Sequence, residues 1–597
     1  MILQLPRLRV IAACGVAACA CASALGAYFG ADCGGGLAFI GCWLLFVSAL
    51  SLHPGRAQWI AAAALSALFA AMRTLGASYD AIDSYGLILK NARTLVTASL
   101  AMGALFAVAL CCILLALALL ERVRLRAAGG QADDPRARRR LFWLCAAVIF
   151  AGSIPYLILY APGLNIFDTH DQILQFFGYP SYIGDGSALS DHHPVFLTLV
   201  YGGFMKLGLL MGDANIGQML YSLVSMAVLA LCWACALCTL CRLGLRRGAA
   251  FGIALFVALY PVLALYAFNM CKDVSVAPFV LLFTAQMILL ERMQGRAAQS
   301  PRFVAALALC ALLMMLTRKS AVYALLFAGV FAAWRYRPVR KRVFAALVGT
   351  AVAFQVFYTG LLLPALGVIP GETREMLSIP FQQTARYLVT YPDDVTPEEM
   401  EAISRVIDVE HAKANYDPRL SDAVKDTTNP DMTGEDLGAY FGAWLSMGLR
   451  HPGVYVDAWL NMIYGYFYPS DSNTIVCLTL NSPDAGGIFL RQDPSLDGVR
   501  TELYNRIMYM LRRLPGVGAL FYVDAVTWAF LFLLAALMLR DGPGAAVPYL
   551  FGVGTLGICM LSPKSGEIRY LLPLLYMLPV MLGAALLPAR GKEATLP

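Results

Sequence analysis

A run of about 20 apolar residues is long enough for a helix to cross the hydrocarbon of a bilayer, and such runs, or slightly shorter ones, recur along most of this chain. Inside a membrane every backbone N–H and C=O must be satisfied within the protein, so runs of this length fold as helices. Composition agrees: 59% of the 597 residues are hydrophobic and 14% are charged, where a soluble domain carries about 25% charged residues. The chain therefore reads as an all-α polytopic integral membrane protein with about fourteen transmembrane helices. The spans fall near 8–29, 36–52, 57–73, 94–120, 141–160, 216–240, 249–269, 274–291, 303–317, 320–334, 343–365, 516–539, 544–562 and 571–588.

Basic residues orient the spans. With the N-terminus inside, the inner segments collect Arg7, Arg9, Arg56, the run Arg122 to Arg140, Arg242, Arg246, Arg247, Arg292, Arg296, Arg302, the cluster Arg335 to Arg342, Arg540, Arg590 and Lys592, more than half of the 45 Lys and Arg. This predicts a multi-pass plasma-membrane protein with both termini cytoplasmic. Residues 194–212 are apolar enough to be a further span, but counting them would put Arg242, Arg246 and Arg247 outside and invert every later loop. They read as a helix along the outer interface. The first apolar run follows arginines, as a signal peptide does, and is read as a retained anchor.

Five parts follow. Residues 1–120 hold four leading helices, and 121–140, which includes the Gln131–Arg140 segment, is a basic cytoplasmic linker. Residues 141–365 form a transmembrane core whose first outer loop is 161–217. Residues 366–515, with 21 Asp and Glu against 12 Lys and Arg, are an extracytoplasmic domain, and Thr396-Pro397-Glu398-Glu399 within it reads as a capped helix start. Its aromatic stretch from Trp444 to Tyr468 suits a membrane surface. Residues 516–597 hold three final helices and a short tail. Most of the sixteen cysteines lie in apolar runs, where cysteine is a small hydrophobe. Cys232, Cys235, Cys238 and Cys241 spread around half a helix and cannot converge on one ion.

Chemistry concentrates in two places. The 161–217 loop carries Phe167-Asp168-Thr169-His170-Asp171-Gln172, then Asp185 and Asp191-His192-His193-Pro194. Such a cluster at a span end suits a carboxylate base or a metal ligand beside a lipid headgroup. The plainer alternative makes Asp168 or Thr169 the cap of a 170–178 helix and Asp191 the cap of the next. Lys272, Arg318, Lys319, Lys564 and Arg569 form the second concentration, since cations are costly in short turns beside apolar spans unless they are paired. They could converge on a lipid-linked phosphate, or they could snorkel or pair with Asp273 and Glu567.

The order of these features resembles the membrane-embedded GT-C glycosyltransferases, particularly the protein O-mannosyltransferases and the lipid A aminoarabinose transferase. An acidic first loop precedes a His-Pro start to an interface helix, then come an outward Asp, an outward Lys and a late Arg-Tyr. The likeness covers residues 141–365 and 560–588, and the layout is also similar to a group of uncharacterised bacterial membrane proteins. The resemblance implies that Asp168 is catalytic and that Asp273 is a second functional acid. It implies that Lys319 holds the donor phosphate and that Arg569-Tyr570 is the Arg-Tyr before the last span. Asp191-His192-His193-Pro194 looks like the His-Pro-Pro segment, with one proline in place of two.

Together these readings give an inverting-type transferase that moves a sugar from a polyprenyl-phosphate donor to an acceptor at the outer face: a cell-envelope glycan, a glycolipid or a protein. The expected catalytic residues are Asp168, Asp171 and Asp273, and the phosphate-binding residues Lys272, Arg318, Lys319 and Arg569. His170, His192 and His193 would line the pocket. A divalent metal, Mg or Mn, would use Asp168 and Asp273. Membrane lipid is an expected partner and nucleic acid is not. The alternative is a transporter or flippase for lipid-linked saccharides, which also needs outward cations but predicts ionisable residues at mid-membrane and repeated halves.

Overall fold

Every apolar run named above is helical in the computed structural model, which describes residues 8–129, 134–514 and 516–589. Arg7, Gln131, Arg590 and Lys592 lie outside the described residues. Nine described helices are long and apolar enough to cross a membrane: Leu8–Phe29, Arg56–Ile82, Ala92–Ala127, Pro135–Leu159, Ala214–Arg242, Lys272–Arg292, Arg337–Ala365, Val523–Asp541 and Ile568–Ala585. Gly36–Leu50, Val195–Leu210, Arg247–Leu259, Pro301–Thr317, Ala321–Arg335 and Pro543–Cys559 are shorter apolar helices. Local chemistry sets many of the ends. Asp134 and Asp213 accept backbone N–H groups at the starts of Pro135–Leu159 and Ala214–Arg242, and Pro301 occupies a first turn, where its missing N–H costs nothing. The run read as one span over 249–269 is broken at Tyr260, because Pro261 disfavours helical backbone in the residue before it.

Large apolar side chains on these helices face outward: Leu100 is 60% exposed and Phe357 65%. In water such a belt would be an aggregation surface, and on a polytopic membrane protein it is the lipid face. Burial runs the other way at the centre. The apolar windows of Lys272–Arg292 and Ile568–Ala585 are 72% and 78% buried, against 17% for Ala92–Ala127. Those two central helices begin with Lys272 and, one residue in, Arg569, so two of the expected site residues stand on the most constrained part of the bundle.

Within 366–515, the stretch from Leu377 to Tyr455 builds a core of its own from Phe381, Tyr387, Ile403, Val424, Tyr440, Met447 and their neighbours, while Tyr466, Phe467, Ile475, Val476, Ile507 and Met508 pack in the core of the bundle. The Thr396–Glu399 pair forms a reciprocal capping box at Pro397–Ser404. The aromatic stretch packs partly into that core and partly onto helices: the Trp459 indole donates to the Met560 carbonyl (3.0 Å), and Trp528 donates to the Phe467 carbonyl (3.0 Å).

The leading helices are tied to this domain through the end of Arg56–Ile82. The Tyr79 hydroxyl donates to Asp457 (2.6 Å), and Arg386 bridges Asp457 (2.9 Å) and the Asp83 carbonyl (2.8 Å). Arg419 reaches the Asp83 carboxylate (3.1 Å) and the Asp80 carbonyl (2.9 Å). Deeper in the bundle, Arg73 pairs with the buried Asp524 of Val523–Asp541 at 2.7 Å. Removing one member of a buried pair strands the other charge, which costs about 3–5 kcal/mol. Arg73→Ala is therefore expected to lower the thermal midpoint in detergent markedly, and Arg73→Met with Asp524→Leu to recover most of the loss. Equal midpoints for Arg73→Ala and the parent would show that the pair does not join the leading helices to the bundle.

Candidate functional site

Two short strands assemble the site. Leu164–Asn165 and Asn269–Met270 pair in parallel, with Leu164 opposite Asn269 and Asn165 opposite Met270. Both leave in the same direction and turn at once into helices, Phe167–Phe176 and Lys272–Arg292. Asp168 and the Lys272-Asp273 pair thus emerge side by side in the first turns of neighbouring helices. The Thr169 hydroxyl donates to the Met270 carbonyl (2.5 Å) and locks the register. A segment of the 366–515 region runs alongside: the Asn165 N–H donates to Thr479 O (3.0 Å), the Asn481 N–H donates to the Asn165 side chain (2.6 Å), and the Asn269 amide donates to Cys477 O (3.1 Å).

The capping alternatives fail on geometry. No side chain caps either helix: Ile166 holds the cap position of Phe167–Phe176 and Pro194 that of Val195–Leu210. Asp168 and Asp191 spend their carboxylates on cations instead. Asp168 Oδ2 lies 2.8 Å from Lys272 Nζ and 3.6 Å from Arg569 Nη1. Burial raises the Asp168 pKa, but the Lys272 ammonium and the Arg569 guanidinium outweigh it and hold the carboxyl well below the usual carboxylate range. Lys272 also donates to His193 Nδ1 (3.3 Å). An ammonium has no lone pair, so Nδ1 is the acceptor and the ring proton sits on Nε2. Burial, helped by Lys272, pushes His193 well below its ordinary value and keeps the ring neutral.

Arg318 and Lys319 diverge, as neighbours in a tight turn must. Arg318 turns inward to Asp273 (3.3 Å) and to the Tyr570 carbonyl (3.3 Å). Lys319 turns to Asp191, reaching its carboxylate at 2.8 Å and its backbone carbonyl as well. Glu567 holds Lys564 (2.8 Å) and Arg569 (3.4 Å). The pairing reading of these cations therefore holds for Arg318 with Asp273, and for Lys564 and Arg569 with Glu567.

A cavity of about 540 Å³ opens beside these pairs. It is lined by Asp191, His192, His193, Lys272, Lys319, Glu372 and Glu375 together with Tyr323, Tyr358 and the apolar side chains of Met315, Leu316, Val322, Phe354 and Leu363. Phe354, Gln355, Tyr358 and Thr359 reach it from a stretch of Arg337–Ala365 wound as a π-helix, Phe354–Leu362. Such widened turns are rare and are often found at functional sites.

Of the expected residues, Lys272, Lys319, His192 and His193 line this cavity. Asp168 stands behind Lys272 with its side chain 23% exposed. Asp273, Arg318 and Arg569 are held in the pairs just described. Asp171 is buried and pairs with His170 (3.2 Å), whose ring stacks on Phe167. Lys272 and Arg569 both engage Asp168 Oδ2, and Arg318 engages Asp273 Oδ1. Asp191, Tyr358, Glu372 and Glu375 complete the cavity without having been singled out from sequence. Asp191 lay in the quoted motif, but nothing local pointed to the other three, which are brought in by tertiary packing.

Residues 183–595 match the DUF6020 family, described as a family of unknown function, and the chain belongs to it. No curated protein and no solved structure matches the chain.

The two neighbouring cations should differ in what they do for stability. The Arg318–Asp273 pair is 8% and 1% exposed, so Arg318→Ala strands a buried charge at about 3–5 kcal/mol. Lys319 is 41% exposed and its partner Asp191 10%, so losing Lys319 leaves a carboxylate that water can reach in part and costs less than losing Arg318. Thermal unfolding should show a large drop for Arg318→Ala and a smaller one for Lys319→Ala. The reverse order would overturn the division between an inner structural pair and a cavity pair.

Proposed function

We propose that this DUF6020 protein is a GT-C-like membrane glycosyltransferase of the inverting type. It moves a sugar from a polyprenyl-phosphate carrier to an acceptor at the outer face of the plasma membrane. The observation that carries this reading is the mixed lining of the cavity: Lys272, Lys319 and His193 suit a phosphate, and the apolar side chains that share the wall with them suit the isoprenoid chain attached to it. In this reading five of the shorter apolar helices also cross the bilayer, giving fourteen spans, while Val195–Leu210 lies at the interface. The cavity then opens at the end of the bundle opposite the arginine clusters around 122–140, 242–247 and 335–342, which supports an outward-facing site with both termini inside.

The chemistry follows from the Asp168–Lys272 pair. The acceptor hydroxyl attacks the anomeric carbon from the face opposite the phosphate, the bond from carbon to phosphate oxygen breaks, and Asp168 takes the hydroxyl proton. A carboxylate held by Lys272 and Arg569 is a weak base. A donor phosphate in the cavity competes for the Lys272 ammonium, and as Lys272 turns to it Asp168 regains basicity when the donor is in place. Lys319 and the Nε2–H of His193 stabilise the departing phosphate. Arg318 and Asp273 hold the turn that presents Lys319, and Arg569 steadies Asp168.

The test is transfer in nanodiscs from a defined polyprenyl-phosphate sugar, with protein level and thermal midpoint measured alongside. A charge-assisted hydrogen bond to phosphate is worth about 1.5–3 kcal/mol, so Lys319→Ala should weaken donor use ~10–150-fold. Lys319→Arg should recover part of the loss, because a planar fork replaces a point charge. Asp168→Asn should keep folding but lose ~10²–10⁴-fold in rate. Donor use untouched by Lys319→Ala, with near-normal turnover in Asp168→Asn, would rule out the transferase reading.

A further inference from the structure

The cavity wall holds one cluster that the transfer chemistry does not use. His192, Glu372 and Glu375 bring their ligand atoms within 4.8 Å of one another. We propose that these three side chains form a binding site for a first-row divalent metal, Zn²⁺ or Mn²⁺, opening onto the cavity.

The ligands come from two segments that the backbone clamps together. Ile369 donates to Leu189 O (2.7 Å) and Asp191 donates to Ile369 O (2.8 Å), so the 369–375 stretch rides directly on the 189–193 stretch. Gly371 permits the approach, since a Cβ there would stand 3.0 Å from the Asp191 carbonyl. The spacing of His192 to Glu372 and Glu375 is thereby set by main chain, and the exposed glutamates need only a modest side-chain turn to close on an ion at about 2.0–2.2 Å.

Donor chemistry agrees. His192 Nδ1 is buried and has no hydrogen-bond partner, and a neutral ring has a lone pair to give there. Each carboxylate's cation engages one oxygen only: Lys425 takes Glu375 Oε2 (2.8 Å), and Arg374 takes Glu372 Oε2. Both Oε1 atoms are left for a metal. Lys425 also pairs with Asp422 (2.8 Å) and does not depend on Glu375 alone. One neutral imidazole and two carboxylates balance a dication. Imidazole among the ligands favours Zn²⁺ or Mn²⁺ over Ca²⁺, which takes 6–8 oxygens. Three protein ligands leave coordination positions open, as in sites where a metal meets a substrate, and the three ligands line the same cavity as Lys319 and His193.

The experiment uses the full chain in detergent, stripped with chelator, and adds no lipid. Mn²⁺ is followed by electron paramagnetic resonance and Zn²⁺ by titration calorimetry. One ion per chain is expected. His192→Asn and Glu372→Gln should each weaken it by at least the ~10–100-fold that a supporting residue is worth at a metal site. Glu372 is exposed, so its variant keeps the fold. Asp168→Asn should leave the affinity unchanged. Failure of both ions to bind, or an affinity that neither variant moves, would overturn the site and show that the glutamates serve only Arg374 and Lys425. Because no donor enters the measurement, that result would leave the transferase reading standing.

Discussion

A charge at the edge of the hydrocarbon is tolerable only when it is paired, and this fold is arranged around that requirement. Asp168 and Lys272 meet at 2.8 Å because a two-strand parallel ladder delivers both to the first turns of adjacent helices. Around them, Arg569 is shared between Asp168 and Glu567, Arg318 takes Asp273, and Lys319 takes Asp191. Apart from the local Arg569–Glu567 contact, these pairs join elements distant in sequence, so they close the end of the bundle as well as satisfying their own charges. They also leave a functional asymmetry. The inner pair is sealed, while Lys272 and Lys319 stand on a cavity wall where an incoming anion can compete for them.

Much of this was legible in the sequence. Apolar runs located the helices, and proline and aspartate marked several of their ends. The density of Asp and His between 168 and 193, with cations in turns that should lack them, pointed to the end of the bundle where the ion pairs and the cavity lie. Sequence could not say which charge meets which. Arg318 and Lys319 are adjacent and chemically alike, and only the turn between Pro301–Thr317 and Ala321–Arg335 decides that one is buried on Asp273 and the other faces the cavity. Glu372 and Glu375 were illegible for a similar reason, since the Ser190–Ile369 bridge that brings them to His192 spans a long separation in sequence. The break at Tyr260 had its signal in Pro261, which the length of the apolar run outweighed, whereas the π-helical winding of Phe354–Leu362 leaves no mark in an apolar run, because backbone geometry there answers to packing and not to hydropathy.

The leading helices acquire a structural meaning that their composition does not suggest. The end of Arg56–Ile82 grips the 366–515 region through Tyr79, Asp80 and Asp83, and that region in turn supplies Thr479 and Asn481, which brace Asn165 beside the site. The 366–515 region is thus hydrogen-bonded both to the first part of the protein and to the strand pair that presents Asp168.

The central claim is that the cavity holds a lipid phosphate between Lys272 and Lys319 with its chain along the apolar side chains of the lining. The most direct measurement is an electron cryomicroscopy structure in nanodiscs containing a polyprenyl phosphate. The account predicts phosphate density within hydrogen-bonding distance of Lys319 and Lys272, Lys272 turned away from Asp168, and chain density between Pro301–Thr317 and Arg337–Ala365. A phosphate bound elsewhere with both ion pairs intact, or a continuous polar path through the bundle, would contradict it.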